Sequence, residues 1–203
     1  MISNHLSEYE PRQNTVLVCV STEEANSYVQ NLENLEMAHK ISALVVSCRD
    51  CKETIGDLSI ICIVRHILEM VRNRTKISWF RLISRIRYWQ LDQDFAKLIN
   101  TIEQSETIED LYTALASGHQ IVNSQINRLV AKEKQEYVLF VVNSFEFIEQ
   151  QKQPVLAGVL HRLVKGSPAY FRIVSLGEPL LFRKDSLGEV GIQLNNDYIE
   201  IRK

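Results

Sequence analysis

Cys48-Arg49-Asp50-Cys51 is the pair of residues in this 203-residue chain best spaced for covalent chemistry. It follows the apolar run from Ile41 to Ser47 and precedes a helix-like segment starting near Leu58. At a strand-to-helix junction, a helix N-terminus and a nearby cation, here Arg49, lower a thiol pKa and favour thiol–disulfide exchange. Ser167-Pro168, just ahead of a later strand, fits that reading. Asp50 opposes it, because a neighbouring carboxylate raises a thiol pKa, and Ser47 stands where an aromatic would precede the first cysteine. The competing reading is two incidental thiols. A metal half-site is a third, although a lone CxxC supplies only two of the ligands that zinc takes. Cys19 and Cys62 lie in apolar runs and read as buried thiols.

The stretch from Arg72 to Trp89, RNRTKISWFRLISRIRYW, gathers Arg72, Arg74, Lys76, Arg81, Arg85 and Arg87 around Trp79, Phe80, Tyr88 and Trp89. Arg81 and Arg85 are one helical turn apart. Together with Trp79 and Trp89 they could form a stacking and charge surface for nucleic acid or a hot spot for a protein partner. The bland alternative is an amphipathic helix with its arginines in solvent or paired with Asp92 and Asp94. The histidines, His5, His39, His66, His119 and His161, are scattered. His66 lies on an apolar helix and reads as a core residue rather than a ligand. Neither a Gly-x-Ser-x-Gly elbow nor an HExxH motif occurs, and no metal site is expected.

Periodicity places these residues on an alternating framework. TVLVCV (Thr15 to Val20), ISALVVS (Ile41 to Ser47) and YVLFVV (Tyr137 to Val142) are short continuous apolar runs, the mark of strands buried on both faces. AYFRIVSL (Ala169 to Leu176) and the segment Ile192 to Ile201 read as the fourth and fifth strands. Helices are expected after Ser21, which can cap the first of them, over Leu58 to Arg72 and Ser78 to Ile99, and over Pro154 to Lys165. Two more are expected over Thr107 to Ser117 and His119 to Lys134, with Gly118 as the break between them. This pattern predicts a single α/β domain over residues 1–203, a three-layer sandwich on a five-stranded, mainly parallel sheet. Residues 1–14 form a polar N-terminal arm, and residues 73–135 a candidate helical insertion between strands two and three.

The bulk properties exclude several classes. Lys and Arg number 23 against 25 Asp and Glu, so the whole-protein charge selects neither nucleic acid nor an acidic membrane surface. No apolar run reaches the ~18 residues of a membrane span. The N-terminal residues lack a basic region followed by an apolar one, so no export signal is expected and the cytoplasm is the expected compartment. Four cysteines in 203 residues do not make a disulfide scaffold.

The last third of the chain has a more specific order. It runs apolar strand, acidic tip, helix with LHRLVK (Leu160 to Lys165), strand AYFRIVSLG (Ala169 to Gly177), then VGIQLNNDYIEI (Val190 to Ile201). This resembles bacterial AAA-type ATPases related to the origin-recognition proteins, in the STAND/AAA group of P-loop proteins. The resemblance implies a P-loop-ATPase core in which Val138 to Glu146 matches the Walker B strand and Ala169 to Ser175 the sensor-1 strand. The phosphate loop would fall between Thr15 and Leu32. There the chain departs from the family. A P-loop requires Gly-x-x-x-x-Gly-Lys-Ser/Thr, yet Val20 is followed by Ser21-Thr22-Glu23-Glu24-Ala25-Asn26, and the first glycine of the chain is Gly56. The positions of the magnesium carboxylate and the catalytic glutamate read Asn143 and Ser144, with Glu146 two residues on. A degenerate nucleotide site would lie near Ser21, Thr22, Asn143, Ser144, Glu146 and Ser175. The expected protein is a pseudo-ATPase, a protein-binding or assembly module whose partner could be an active ATPase relative. No cofactor is expected, Mg-ATP included. With the final core strand at its end, the chain is expected to lack the family's helical lid and winged-helix domain. A thiol–disulfide oxidoreductase using Cys48 and Cys51 and a nucleic-acid-binding accessory protein are the alternatives.

Overall fold

A computed structural model describes residues 13–32, 34, 40–51, 54–76, 85–185, 188–194 and 196–202, with only the backbone described for 85–87 and 185. Most of the polar arm, together with Trp79 and Arg81, lies outside the described residues.

The long apolar runs become the strands. β1 (Thr15–Cys19), β2 (Ile41–Ser47), β3 (Tyr137–Asn143), β4 (Ala169–Leu176) and β7 (Ile199–Arg202) form one sheet in the order β2-β3-β4-β1-β7. Every pairing in it is parallel. Five α-helices are described: α1 (Thr22–Gln30), α2 (Asp57–Thr75), α3 (Arg85–Glu103), α4 (Ile108–Glu133) and α5 (Gln153–Val164). Alternation in β3 shows why both faces of the sheet are covered. Val138, Phe140 and Val142 join a large core with α2 to α5, whereas Tyr137, Leu139 and Val141 point the other way, into a smaller core with Ala25 and Tyr28 of α1. The result is an α/β three-layer fold with helices inserted between β2 and β3. Phe95, Ile102, Leu111 and Ile126 of the inserted helices share the large core with Val138 and Phe140. Among the described residues, no helix is long and apolar enough to cross a membrane.

Three local expectations are corrected. α4 runs unbroken through Gly118. A Cβ there would stand 2.5 Å from Leu98 Cδ2, so the missing side chain lets α3 and α4 approach closely instead of ending a helix. The region expected as one long final strand is shortened. Within residues 192–201 only the end is strand, where Ile199–Arg202 joins the sheet, and the residues just before that region form an antiparallel hairpin of β5 (Phe182–Asp185) and β6 (Gly188–Gly191). Between the hairpin and β7 the Asp197 carboxylate accepts the Gln193 N–H at 2.8 Å and holds a turn. Finally, Cys62 is not a buried thiol: it is half-buried and joined to Cys51 in a disulfide with a Cα separation of 6.1 Å.

The α1 face also encloses a charge. Arg172, in the middle of β4, is buried and receives no carboxylate among the described residues. Its guanidinium donates to the Tyr28 hydroxyl at 2.5 Å and to Thr15 Oγ1 at 3.5 Å.

Candidate functional site at the carboxyl edge of the sheet

In an open parallel sheet, ligands bind beyond the carboxyl ends of neighbouring strands whose connections depart in opposite directions. β1 and β4 meet that condition. They pair up to Cys19 and Leu176, after which α1 carries the chain toward β2 at one edge, while the chain after β4 passes β1 to reach β7 at the other. At their ends a cavity is lined by Thr22, Ala25 and Asn26 of α1, Asn143 at the end of β3, Ser144 and Glu146 just after it, Ser175 of β4, and Arg49 after β2. The structure therefore brings together Thr22, Asn143, Ser144, Glu146 and Ser175, as the sequence led us to expect. Ser21 stays out of the lining and caps α1 instead. Arg49 and Asn26 are additions, and no spacing rule links either of them to Ser175.

The side chains of this edge accept hydrogen bonds from its own backbone amides. Ser21 Oγ accepts the Glu24 N–H at 3.2 Å, and Glu24 Oε2 accepts the Val20 N–H at 3.1 Å. A helix N-terminus attracts anions through its unpaired amides and its dipole. Here the chain's own hydroxyl and carboxylate take that place. Across the crevice Asn143 Oδ1 accepts the Ser144 N–H at 2.8 Å. Ser144 itself lies in the left-handed region, at φ 58°. That turn sends Phe145 into the core and leaves Phe147 exposed. Glu146 Oε2 accepts the Leu176 N–H at 3.1 Å. What remains is a cavity of about 10 Å³. About 10–15 Å³ is the least that holds one water molecule.

The thiols beside this edge are arranged unlike an exchange pair. Cys51 is bonded to Cys62, not to Cys48. Cys48 is buried, and its pKa is raised well above the ordinary thiol value, first by burial and then by the Glu146 and Asp50 carboxylates. Arg49, the cation the sequence offered it, stacks over the Phe147 ring at 4.8 Å. Cys48 is therefore expected to resist iodoacetamide in the native protein at mildly alkaline pH and to react only on denaturation. Native-state labelling at the rate of an ordinary thiol would contradict this.

Part of the arginine-rich stretch is also accounted for. Arg85 begins α3, and Trp89 is 61% exposed. Arg72 lies 3.7 Å from Asp92, and Arg74 lies 3.2 Å from Glu133. These pairs neutralise two of the cations offered to nucleic acid. A different surface stands out around the carboxyl edge: Val20 is 83% exposed and Ile55 77%, with Leu58 and Phe147 about half exposed. These four follow β1, β2 and β3 at the same end of the sheet.

The fold and this edge define an open parallel α/β protein whose ligand crevice is closed by its own side chains. No protein-family model matches the chain, and no curated protein matches it.

Proposed function

We propose that this chain is a P-loop-ATPase-like module that does not hydrolyse nucleotide and works by binding another protein, an active ATPase relative being the partner that the resemblance suggests. The observation that carries this reading is the closed crevice. At the positions that would hold phosphate and magnesium in a P-loop enzyme, the chain's own side chains accept its backbone amides beside a cavity of about 10 Å³. Each charge-assisted contact that a glycine loop and its lysine would make to phosphate is worth ~1.5–3 kcal/mol. Here the Val20 and Glu24 amides already donate within the chain, and the Glu24 and Glu146 carboxylates would repel a triphosphate. The alternation of strands and helices supports the P-loop-like core. The exposed Val20, Ile55, Leu58 and Phe147 support a protein-binding edge, because exposed apolar groups clustered at one end are what a docking surface provides.

Two measurements test the reading. Titration with Mg-ATP in a calorimeter is expected to show no binding tighter than about 1 mM; micromolar affinity would overturn the non-nucleotide reading. The Val20→Asp/Phe147→Asp double variant should fold, because both side chains are exposed. It should lose an ATPase that the wild-type protein co-purifies from its native host. Equal recovery with both proteins would remove the carboxyl edge as the binding surface.

A further inference from the structure

α2 carries Cys62 and His66 four residues apart, so both side chains lie on one face of the helix, a single turn apart. Cys51 sits in the short turn between β2 and α2 and faces the same spot. Its sulfur lies 3.8 Å from His66 Nδ1, and the ligand atoms of Cys51, Cys62 and His66 all fall within 4.8 Å of one another. In a tetrahedral zinc site, Zn–S bonds of about 2.3 Å and Zn–N bonds of about 2.05 Å put sulfur and nitrogen about 3.6 Å apart. The Cys51–His66 separation is already close to that edge. Two sulfurs and an imidazole are also the donor set that selects zinc over the hard, oxygen-seeking cations.

We infer that Cys51, Cys62 and His66 form a redox-gated site for a thiophilic divalent cation, Zn²⁺ above all. As drawn in the structure, the two sulfurs are bonded to each other, which is the closed state of the gate. An external dithiol opens it: two electrons and two protons pass to the disulfide, giving Cys51 and Cys62 as thiols and the reductant as its own disulfide. Binding of Zn²⁺ then displaces the two thiol protons and forms two Zn–S bonds, while the unprotonated Nδ1 of His66 supplies the third ligand. Among the described residues no further Cys, His or carboxylate joins the cluster, so water takes the fourth position. Buried Cys51 and half-buried Cys62 and His66 place the cation just under the surface, where exchange is open. The CxxC spacing conceals this arrangement, because the partner of Cys51 is Cys62 and not Cys48.

Cobalt(II) tests the site directly on the full chain. After reduction and removal of the reductant under nitrogen, one equivalent of Co²⁺ is expected to give a thiolate-to-cobalt absorption band and the visible bands of tetrahedral cobalt. One equivalent of Zn²⁺ should bleach both. Protein kept oxidised should give neither. Cys62→Ser should lose the thiolate band by about half or more, and His66→Ala should weaken Co²⁺ binding by about tenfold or more, whereas Cys19→Ser should behave as wild type. If Cys62→Ser fails to fold, alkylation of the reduced wild-type protein decides the matter: Zn²⁺ should protect Cys51 and Cys62 and leave the labelling of Cys48 unchanged. Reduced protein that gives no cobalt band, or that shows no zinc protection at Cys51 and Cys62, overturns the proposal.

Discussion

Replacing Tyr28 by Phe should cost ~2–4 kcal/mol of stability, far more than an exposed hydroxyl would, because the group it serves is a buried cation. Arg172 lies within the smaller core, where its strongest contact is the 2.5 Å bond to the Tyr28 hydroxyl. The Tyr28→Phe variant keeps the ring that the guanidinium faces at 5.5 Å but removes that acceptor. Among the described residues Thr15 Oγ1, at 3.5 Å, is then the remaining partner of its terminal nitrogens, and Nε is already buried without an acceptor. The charge cannot be shed, since a guanidinium stays protonated. The double variant Tyr28→Phe/Arg172→Met should be markedly more stable than Tyr28→Phe alone, because an apolar side chain of similar length does not need the hydroxyl. Urea unfolding of the two single variants and the double variant measures the coupling. A Tyr28→Phe loss below ~1 kcal/mol, or a double variant no better than the single, would show that Arg172 draws its stabilisation from elsewhere.

The same pair has a pH signature. Burial raises the Tyr28 pKa, opposed in part by the Arg172 charge and hydrogen bond. The fold thus favours the neutral phenol. Its share of stability is complete below the unfolded-state value of about 10 and declines as pH rises above it. Tyr28→Phe should lack that part of the alkaline decline.

Gly191→Ala should be the most damaging glycine substitution, costing ~3 kcal/mol or more or releasing the hairpin of β5 and β6 from the domain. The backbone of Gly191 lies at φ 112°, and an added Cβ would stand 1.9 Å from the Leu181 carbonyl oxygen. That oxygen is fixed, because it accepts the Ile192 N–H at 2.9 Å and both residues are buried in the large core. Neither partner can move without breaking a hydrogen bond or opening the core beside α5. Gly177→Ala is the control. Its φ is 76° and no atom lies within 4 Å of the added Cβ. It should therefore cost only the ~1–2 kcal/mol of a left-handed alanine. Thermal unfolding, with amide exchange at β6, separates the two cases. Equal losses at both positions would mean that the clash at Gly191 is relieved at no cost.

The closed crevice and the thiol cluster lie side by side, and this gives the two proposals different consequences. Arg49, between Cys48 and Cys51, lines the crevice and covers Phe147. Reduction and zinc binding would act on Cys51 two residues away. Val20→Asp/Phe147→Asp should leave cobalt binding intact, while Cys62→Ser should leave the outcome of the Mg-ATP titration unchanged. The protein-binding and metal-binding readings therefore stand or fall separately.

The sequence by itself determined the layered architecture and the absence of a glycine-rich loop after the first strand. Continuous apolar runs such as ISALVVS and YVLFVVN can bury both faces only inside a covered parallel sheet, and no fold restores glycines that are absent between Val20 and Gly56. It also indicated the carboxyl-edge residues, because strand ends can be read from local pattern. Only the tertiary structure decided the rest. Gly118 looks like a helix stop until Leu98, on another helix, is seen to need its space. Arg172 looks like an ordinary strand residue until Tyr28, 144 positions away, is found against it. Cys51 seems matched to Cys48 until the start of α2 brings Cys62 and His66 to it. Periodicity records which way a side chain points within its own element, whereas these contacts depend on which elements meet, and that choice is made by the packing of the whole core.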